Sequence, residues 1–408
     1  MKLPLRLLCA VVLLGTQLGA DWPQFRGADT TGVSAEKLPT RIKENIRWTA
    51  DLPGRGLSGP IVVGDQVVVT ASSGYAQDRL HILSFNVQTG ELDWERQFWA
   101  TGRTLCHPKM SNATPTAASD GKRIFALFSS NDLVCVDLKG NLQWFRGLTQ
   151  DYPNASNSLG MSSSPVVVGD TLDVQIENDS QSLAVGVDVA TGENRWRLER
   201  PTLANWTSPL VLPATDPADS VVVLQSGRGL LAVEPRTGKT RWTYDQGCST
   251  IPSATVSNGV LYVPSKGLTA LDVRGNKGEP PVQIWNSGKL GPSTPSPIAI
   301  ADKVYSIGGA GVLNAADAKE GKSLWALRLQ VKLEDRTSGG QFSATPVAAD
   351  GYLYLFNEEG VGLVVNTAGE QGEVVAAHDF KETILATPAI SRGALFVRSD
   401  RHLWKIAK

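Results

Sequence analysis

The sequence predicts an all-β fold: one eight-bladed β-propeller with four-stranded blades, its ring closed by an N-terminal strand. Three observations predict it. A proline step recurs eight times at blade length, a turn-plus-tryptophan element recurs inside most units, and the last unit is one strand short.

The proline step, Ser/Thr/Gly/Ile-Pro opening a small apolar strand, falls at Pro60, Pro115, Pro165, Pro209, Pro252, Pro297, Pro346 and Pro388. Its intervals run from 55 residues (Pro60 to Pro115) down to 42 (Pro346 to Pro388), the length of a propeller blade. The third unit is clearest: SPVVVGD, TLDVQIE and SLAVGVD are strand-like runs, followed by ATGENRWR, a turn and a strand carrying Trp196. The same element ends in Trp94, Trp144, Trp242, Trp285 and Trp325 in other units. The seventh unit has Val374 and Val375 in the stretch that should hold the tryptophan. A large flat indole at a fixed place in each outer strand packs against the next blade, so these residues are expected to dock blades rather than build one local site.

From Pro388 to Lys408 there is room for three strands only, ATPAIS, ALFVRS and HLWKIA. The missing outer strand is available as NIRWTADL, with Trp48 in the docking position. Pairing the two ends removes an exposed sheet edge.

Residues 1–20 combine basic Lys2 and Arg6, a short apolar core and a small-residue exit at Gly19-Ala20, the layout of a secretory signal peptide. The expected organisation is a signal at 1–20 and a single propeller domain at 21–408, exported to the periplasm or beyond the cell. Loss of Lys2 and Arg6 moves the formal charge from −1 to −3, which offers nothing to nucleic acid. No later segment is apolar over the roughly 20 residues a membrane span needs, and a monomer is expected. Three cysteines remain, Cys106, Cys135 and Cys248. Export permits a disulfide between Cys106 and Cys248, which spacing leaves open.

The paired elements LLAVEPRTGKTRW and SLAVGVDVATGENRW, of the form xLxAxD followed by xTGxxxW, resemble the repeat of the PQQ-like, or quinoprotein alcohol dehydrogenase-like, propeller family over 22–408. The opening DWPQFRG is similar to the start of exported bacterial propellers. The resemblance implies either a quinone-dependent dehydrogenase or a BamB-type scaffold for outer-membrane protein insertion. The dehydrogenases hold their quinone over a disulfide between adjacent cysteines and beside a calcium set, and neither pattern occurs here. No cofactor or metal is therefore expected, with PQQ and calcium as the alternative. The scaffold reading fits size, export and blade count, but no lipid-attachment cysteine ends the signal.

Two connections on one face are far longer than a hairpin needs, FWATGRTLCHPKMSNAT and RGLTQDYPNASNSLGMSS. They bring His107, Lys109, Asn112, Asp151, Tyr152, Asn154 and Asn157 into the candidate site, joined by Asn205 and Trp206 from the next connection. Zinc spacing, a P-loop, a dinucleotide fingerprint and a nucleophile elbow are absent, so no catalytic residue is assigned. The expected function is a non-catalytic exported scaffold that recognises an envelope protein or a small polar ligand through this face. The alternative is a quinone-dependent oxidoreductase, or another exported enzyme using His107 and Asp151.

Overall fold

The computed structural model describes residues 21–408 other than 156–158, 215–218 and 275–277. The expected signal at 1–20 lies outside the described residues. Eight four-stranded antiparallel sheets stand around one axis, and within a blade consecutive strands pair in chain order.

Blade 3 shows why these residues make a blade. Its strands are Val166–Val168, Thr171–Ile176, Leu183–Asp188 and Asn194–Glu199. Side chains alternate across a strand. Leu172, Val174 and Ile176 accordingly pack toward blade 2, while Val166, Ala184 and Trp196 pack toward blade 4. Both faces are covered, so the inner strands read as nearly continuous apolar runs.

Blade 8 contains Ala389–Ser391, Ala394–Arg398 and His402–Ala407, and its outer strand is Ile46–Asp51 from the other end of the chain. Thr49 stands opposite Trp404 and Asp51 opposite His402.

Six of the docking indoles, those of Trp48, Trp94, Trp144, Trp196, Trp285 and Trp325, lie over a glycine of the next blade. A Cβ on Gly90, Gly140, Gly192 or Gly238 would stand 2.6–2.7 Å from the ring of Trp48, Trp94, Trp144 or Trp196, respectively. These glycines also hold positive φ, so the turn and the close approach both exclude a larger residue. The indole N–H of Trp196 donates to Pro235 O at 2.7 Å, and that of Trp94 to Leu138 O at 2.9 Å. Opposite Trp94, Trp144, Trp196, Trp242, Trp285 and Trp325 on the third strand stand Ser84, Cys135, Gly186, Ala232, Ala270 and Ala315. Small partners leave room for the indole to lie flat. In blade 7 the bulged register gives this position to Ala376, opposite Val364, rather than to Val374 or Val375.

The first residues of the described chain occupy the inside of the ring, which the repeat pattern did not foresee. Trp22 exchanges two backbone hydrogen bonds with Val62 in blade 1, both 2.9 Å. Gln24 Oε1 accepts from Val167 N in blade 3, and Thr30 Oγ1 from Val211 N in blade 4. Val33–Ser34 adds a parallel fifth strand beside Val347–Ala349 of blade 7. Arg26 donates to Ala254 O at 2.8 Å and Pro297 O at 3.2 Å, reaching blades 5 and 6. The segment thus satisfies polar groups that inner strands would otherwise leave facing an empty channel. Arg26 is fully buried, and that burial lowers its pKa to about 9.

Cys106, Cys135 and Cys248 are all free thiols. Among the described residues no helix is long and apolar enough to cross a membrane.

One buried group predicts a pH dependence. Asp173 lies between Val166 and Gly186 in the blade 3 register, and neither carboxylate oxygen has a hydrogen-bond partner. Burial holds its carboxyl well above the usual carboxylate range. The folded chain therefore keeps a proton that the unfolded chain releases above about pH 4, so stability falls as pH rises from there through the folded pKa, then levels. Asp173→Asn is expected to melt higher than wild type near neutrality, by on the order of 1–3 kcal/mol in stability, with the gap closing toward pH 4. Parallel melting-versus-pH curves for the two proteins would refute this.

Candidate binding site at the mouth of the ring

Where the chain enters each inner strand, alternate residues face the axis and build two tiers. The lower tier is Thr116, Ser164, Ser208, Ser253, Ser296, Thr345 and Thr387, one hydroxyl from each of blades 2 to 8, with Gly59 at the blade 1 position. Gly59 N donates to Thr116 Oγ1, Thr116 N to Ser164 Oγ, and the relay runs on through each hydroxyl to Thr387 at 2.8–3.1 Å throughout. A Cβ on Gly59 would stand 2.6 Å from Thr387 O, so glycine is the residue that lets the ring close. This alignment corrects the repeat: in blades 2 and 5 the equivalent of the proline is Ala117 or Ala254, and Pro115 and Pro252 stand two residues earlier.

Each of these oxygens accepts an amide N–H, and none of the seven hydroxyls donates a hydrogen bond among the described residues. A hydroxyl has one proton, which here is left for whatever enters the cavity. The cavity has a volume of about 370 Å³, a size suited to a small organic molecule. Phe25 of the N-terminal segment lines it, and the upper tier sets apolar Leu57, Trp206, Ile251 and Leu385 among Thr114, Ser162, Thr294 and Ser343.

The connection 101–114 crosses the mouth. Arg55 donates to Pro108 O at 2.7 Å and Met110 O at 2.9 Å, and pairs with Asp400 of blade 8 at 3.1 Å. Lys109 then reaches blade 7, its ammonium 2.8 Å from Glu358 and 2.9 Å from Gln341 Oε1. His107 Nδ1 accepts from Lys109 N at 3.1 Å. The Lys109 side chain is 53% exposed, so its ion pair contributes roughly 0–1 kcal/mol and the strap is held lightly.

Of the nine residues drawn from the sequence, His107, Lys109 and Trp206 line this cavity. Trp206 is fixed by its indole N–H on Gly160 O at 2.9 Å. Asn112 is buried and ties Gln77 O to Ser130 N. Asn205 is buried as well, donating to Gln225 O at 2.9 Å beside the Glu177–Arg200 pair, itself 2.6 Å apart. Asp151 closes the short helix Leu148–Asp151 and pairs with Arg146 at the outer rim. Tyr152 accepts from Asn194 at 2.6 Å, with Arg197 over its ring. Asn154 is exposed and offers its carbonyl to Ser180 and Gln181. Asn157 lies outside the described residues. The two long connections meet where His107 N donates to Leu159 O at 3.0 Å, and Leu159 and Ser162 of the second line the cavity, while its first part, 148–155, follows the rim between blades 2 and 3.

The hydroxyl tier and Phe25 escaped the sequence reading. Five of the seven hydroxyls, Ser164, Ser208, Ser296, Thr345 and Thr387, are the Ser/Thr of the proline step itself, whose side chain faces the axis.

The lining does not fit a calcium-held quinone. It contains no carboxylate, and a divalent cation would meet neutral hydroxyls and the Lys109 ammonium. Among the described residues no cluster of three or more His, Cys, Asp or Glu could hold a metal ion.

An eight-bladed ring docked by repeating tryptophans and enclosing a strapped axial cavity places the chain in the class of PQQ-like propellers. The family model described as outer membrane protein assembly factor BamB matches residues 43–210, 154–327 and 309–408, and the chain belongs to this family. BamB from Moraxella catarrhalis superposes with a TM-score of 0.65 at 17% identity, covering 89% of this chain and 97% of that one. A europium-containing methanol dehydrogenase gives 0.71 at 13% identity over 95% and 98% of the two chains. These likenesses show the fold. A polyvinylalcohol dehydrogenase from Pseudomonas sp. is 23% identical over 265 residues, 55% of this chain and 39% of that protein's own length.

Proposed function

We propose that the chain is an exported envelope scaffold whose axial cavity recognises a small, acceptor-rich ligand such as an organic carboxylate. The observation that carries this reading is the tier of seven hydroxyls whose oxygens are taken by amides, leaving O–H donors toward a cavity with no carboxylate in its wall. Hydrogen bonds to a charged acceptor are each worth about 1.5–3 kcal/mol, against 0.5–1.5 for neutral pairs, so anionic ligands gain most. Lys109 adds a positive charge at the entrance and exchanges Glu358 for the ligand. The family description supports an envelope location and a protein partner, which the loop-bearing face around the mouth would meet.

Titration calorimetry with citrate and benzene-tricarboxylate, against neutral triols of similar size, tests the cavity. Carboxylates are expected to bind and the triols not to. Lys109→Ala should weaken binding about tenfold, equivalent to ~1.4 kcal/mol, and a Ser208→Ala, Ser253→Ala double variant at least as much. Equal affinity in all three proteins, or no binding, overturns the reading. The likeness to polyvinylalcohol dehydrogenase supports an oxidoreductase as the second reading. Dye-linked alcohol oxidation after adding quinone and calcium would establish that one instead.

A further inference from the structure

Away from the mouth, three side chains on one face of blade 1 form a hydrogen-bonded series. Ser73 ends the strand Gln66–Ser73, His81 lies in Arg79–Asn86 and Glu95 in Leu92–Trp99. The register sets Ala71 opposite His81 and Leu83 opposite Glu95, so 73, 81 and 95 project from the same side of the sheet.

Ser73 Oγ is 2.7 Å from His81 Nε2, and His81 Nδ1 is 2.6 Å from Glu95 Oε1. With Nδ1 donating to the Glu95 carboxylate, the Nδ1–H tautomer of the ring leaves Nε2 to accept from the Ser73 hydroxyl. Glu95 is itself positioned. Its Oε1 also accepts from Gln97 Nε2 at 3.0 Å, Gln97 Oε1 accepts from Arg79 at 3.1 Å, and the Arg79 guanidinium stacks on Trp99 at 4.0 Å. The imidazole is buried, whereas Ser73 is half-buried at the edge of the blade, beside the exposed turn 74–76. The backbone N–H groups of Gly74, Tyr75 and Ala76 make no hydrogen bond among the described residues.

A hydroxyl on the lone-pair nitrogen of an imidazole, oriented by a carboxylate beyond it, is the arrangement that activates serine as a nucleophile. Free N–H groups immediately after that serine are the donors a developing oxyanion needs. Two large aromatic rings stand exposed nearby: Tyr75, two residues along the chain, and Trp99, in the same cross-strand row as Ser73 through Arg79. They offer flat apolar surface to an aromatic leaving group.

We propose that Ser73, His81 and Glu95 form a nucleophilic site that hydrolyses small aryl esters, independent of the axial cavity. Ser73 Oγ bonds to the ester carbonyl carbon as its proton passes to His81 Nε2. The carbon–oxygen bond to the phenol then breaks, and the phenolate leaves with that proton. Water attacks the acyl-serine, gives a proton to Nε2, and Ser73 takes it back as the carboxylic acid is released. Glu95 is a positioning residue that holds the Nδ1–H tautomer.

The test is covalent labelling of the full mature chain with a fluorophosphonate, followed by intact mass and peptide mapping, alongside hydrolysis of p-nitrophenyl acetate. One label per chain on Ser73 is expected, with a hydrolysis rate at least 100-fold above that of Ser73→Ala. His81→Gln should fall to the Ser73→Ala level. Glu95→Gln should lose about tenfold and shift the imidazole ¹⁵N resonances away from the Nδ1–H pattern, with Glu95→Asp recovering part of both. Arg274→Ala, at an exposed side chain of blade 5, should leave the rate unchanged. No label on Ser73 in folded wild type, or a Ser73→Ala variant that hydrolyses the ester as fast as wild type, overturns the proposal.

Discussion

A chain that begins at Leu52 is expected to lose its cooperative melting transition or to associate. It lacks Ile46–Asp51, the outer strand of blade 8, and leaves the His402–Ala407 strand as an open edge. It also lacks Trp48, whose ring covers Gly90 and whose N–H donates to Val87 O at 3.3 Å, the contact by which blade 8 docks on blade 1. A buried tryptophan alone is worth about 3–5 kcal/mol, a large share of a native stability of roughly 5–15 kcal/mol. An unpaired edge adds a route to association. Deleting only 21–41 separates the two roles of the N-terminal region: it keeps the closing strand, removes Phe25 and Arg26 from the channel, and should leave a folded ring of lower melting temperature. Thermal melting and light scattering of the three proteins decide this. A Leu52 start that melts with wild type as a monomer would show that ring closure does not depend on this strand.

Trp196→Ala and Trp242→Ala should each destabilise by about 3–5 kcal/mol, read from denaturant unfolding. Both indoles are nearly buried, at 8% and 4% exposure. Trp196 fits between Gly186 on its own blade and Gly238 on the next, so its removal leaves a cavity bounded by backbone that cannot collapse. Trp196→Phe keeps much of the apolar contact and loses the bond to Pro235 O, a cost nearer 1 kcal/mol. Trp99→Ala is the control: its ring is 61% exposed and outside the docking series, so little should change. Unaltered unfolding in both docking variants would mean the blades are held by their β contacts alone.

The blade count, the strand order and the closing strand were legible in the sequence because each is local information repeated. Glycine that needs positive φ, a two-residue alternation and an indole at a fixed step recur in nearly every blade, and three strands at one end imply a fourth at the other. The candidate site was legible in part. Length and composition pointed to 101–114, and His107 and Lys109 do stand at the mouth. The same criteria chose Asn112 and Asn205, whose amides are consumed inside the scaffold, and Asp151 and Tyr152, which the short helix turns to the outer rim. Polar composition does not distinguish a side chain that satisfies the backbone from one that awaits a ligand.

Taken alone, the residues determined the architecture, since each strand's alternation and each turn's φ are properties of a few consecutive positions. Only the tertiary structure decided that seven hydroxyls forty-odd residues apart form one ring, that Arg26 spans two blades from inside the channel, and that Ser73, His81 and Glu95 meet across three strands. The physical reason is the same in each case. These contacts are set by cross-strand register and by rotation about the propeller axis, quantities that no stretch of sequence carries until the ring has closed.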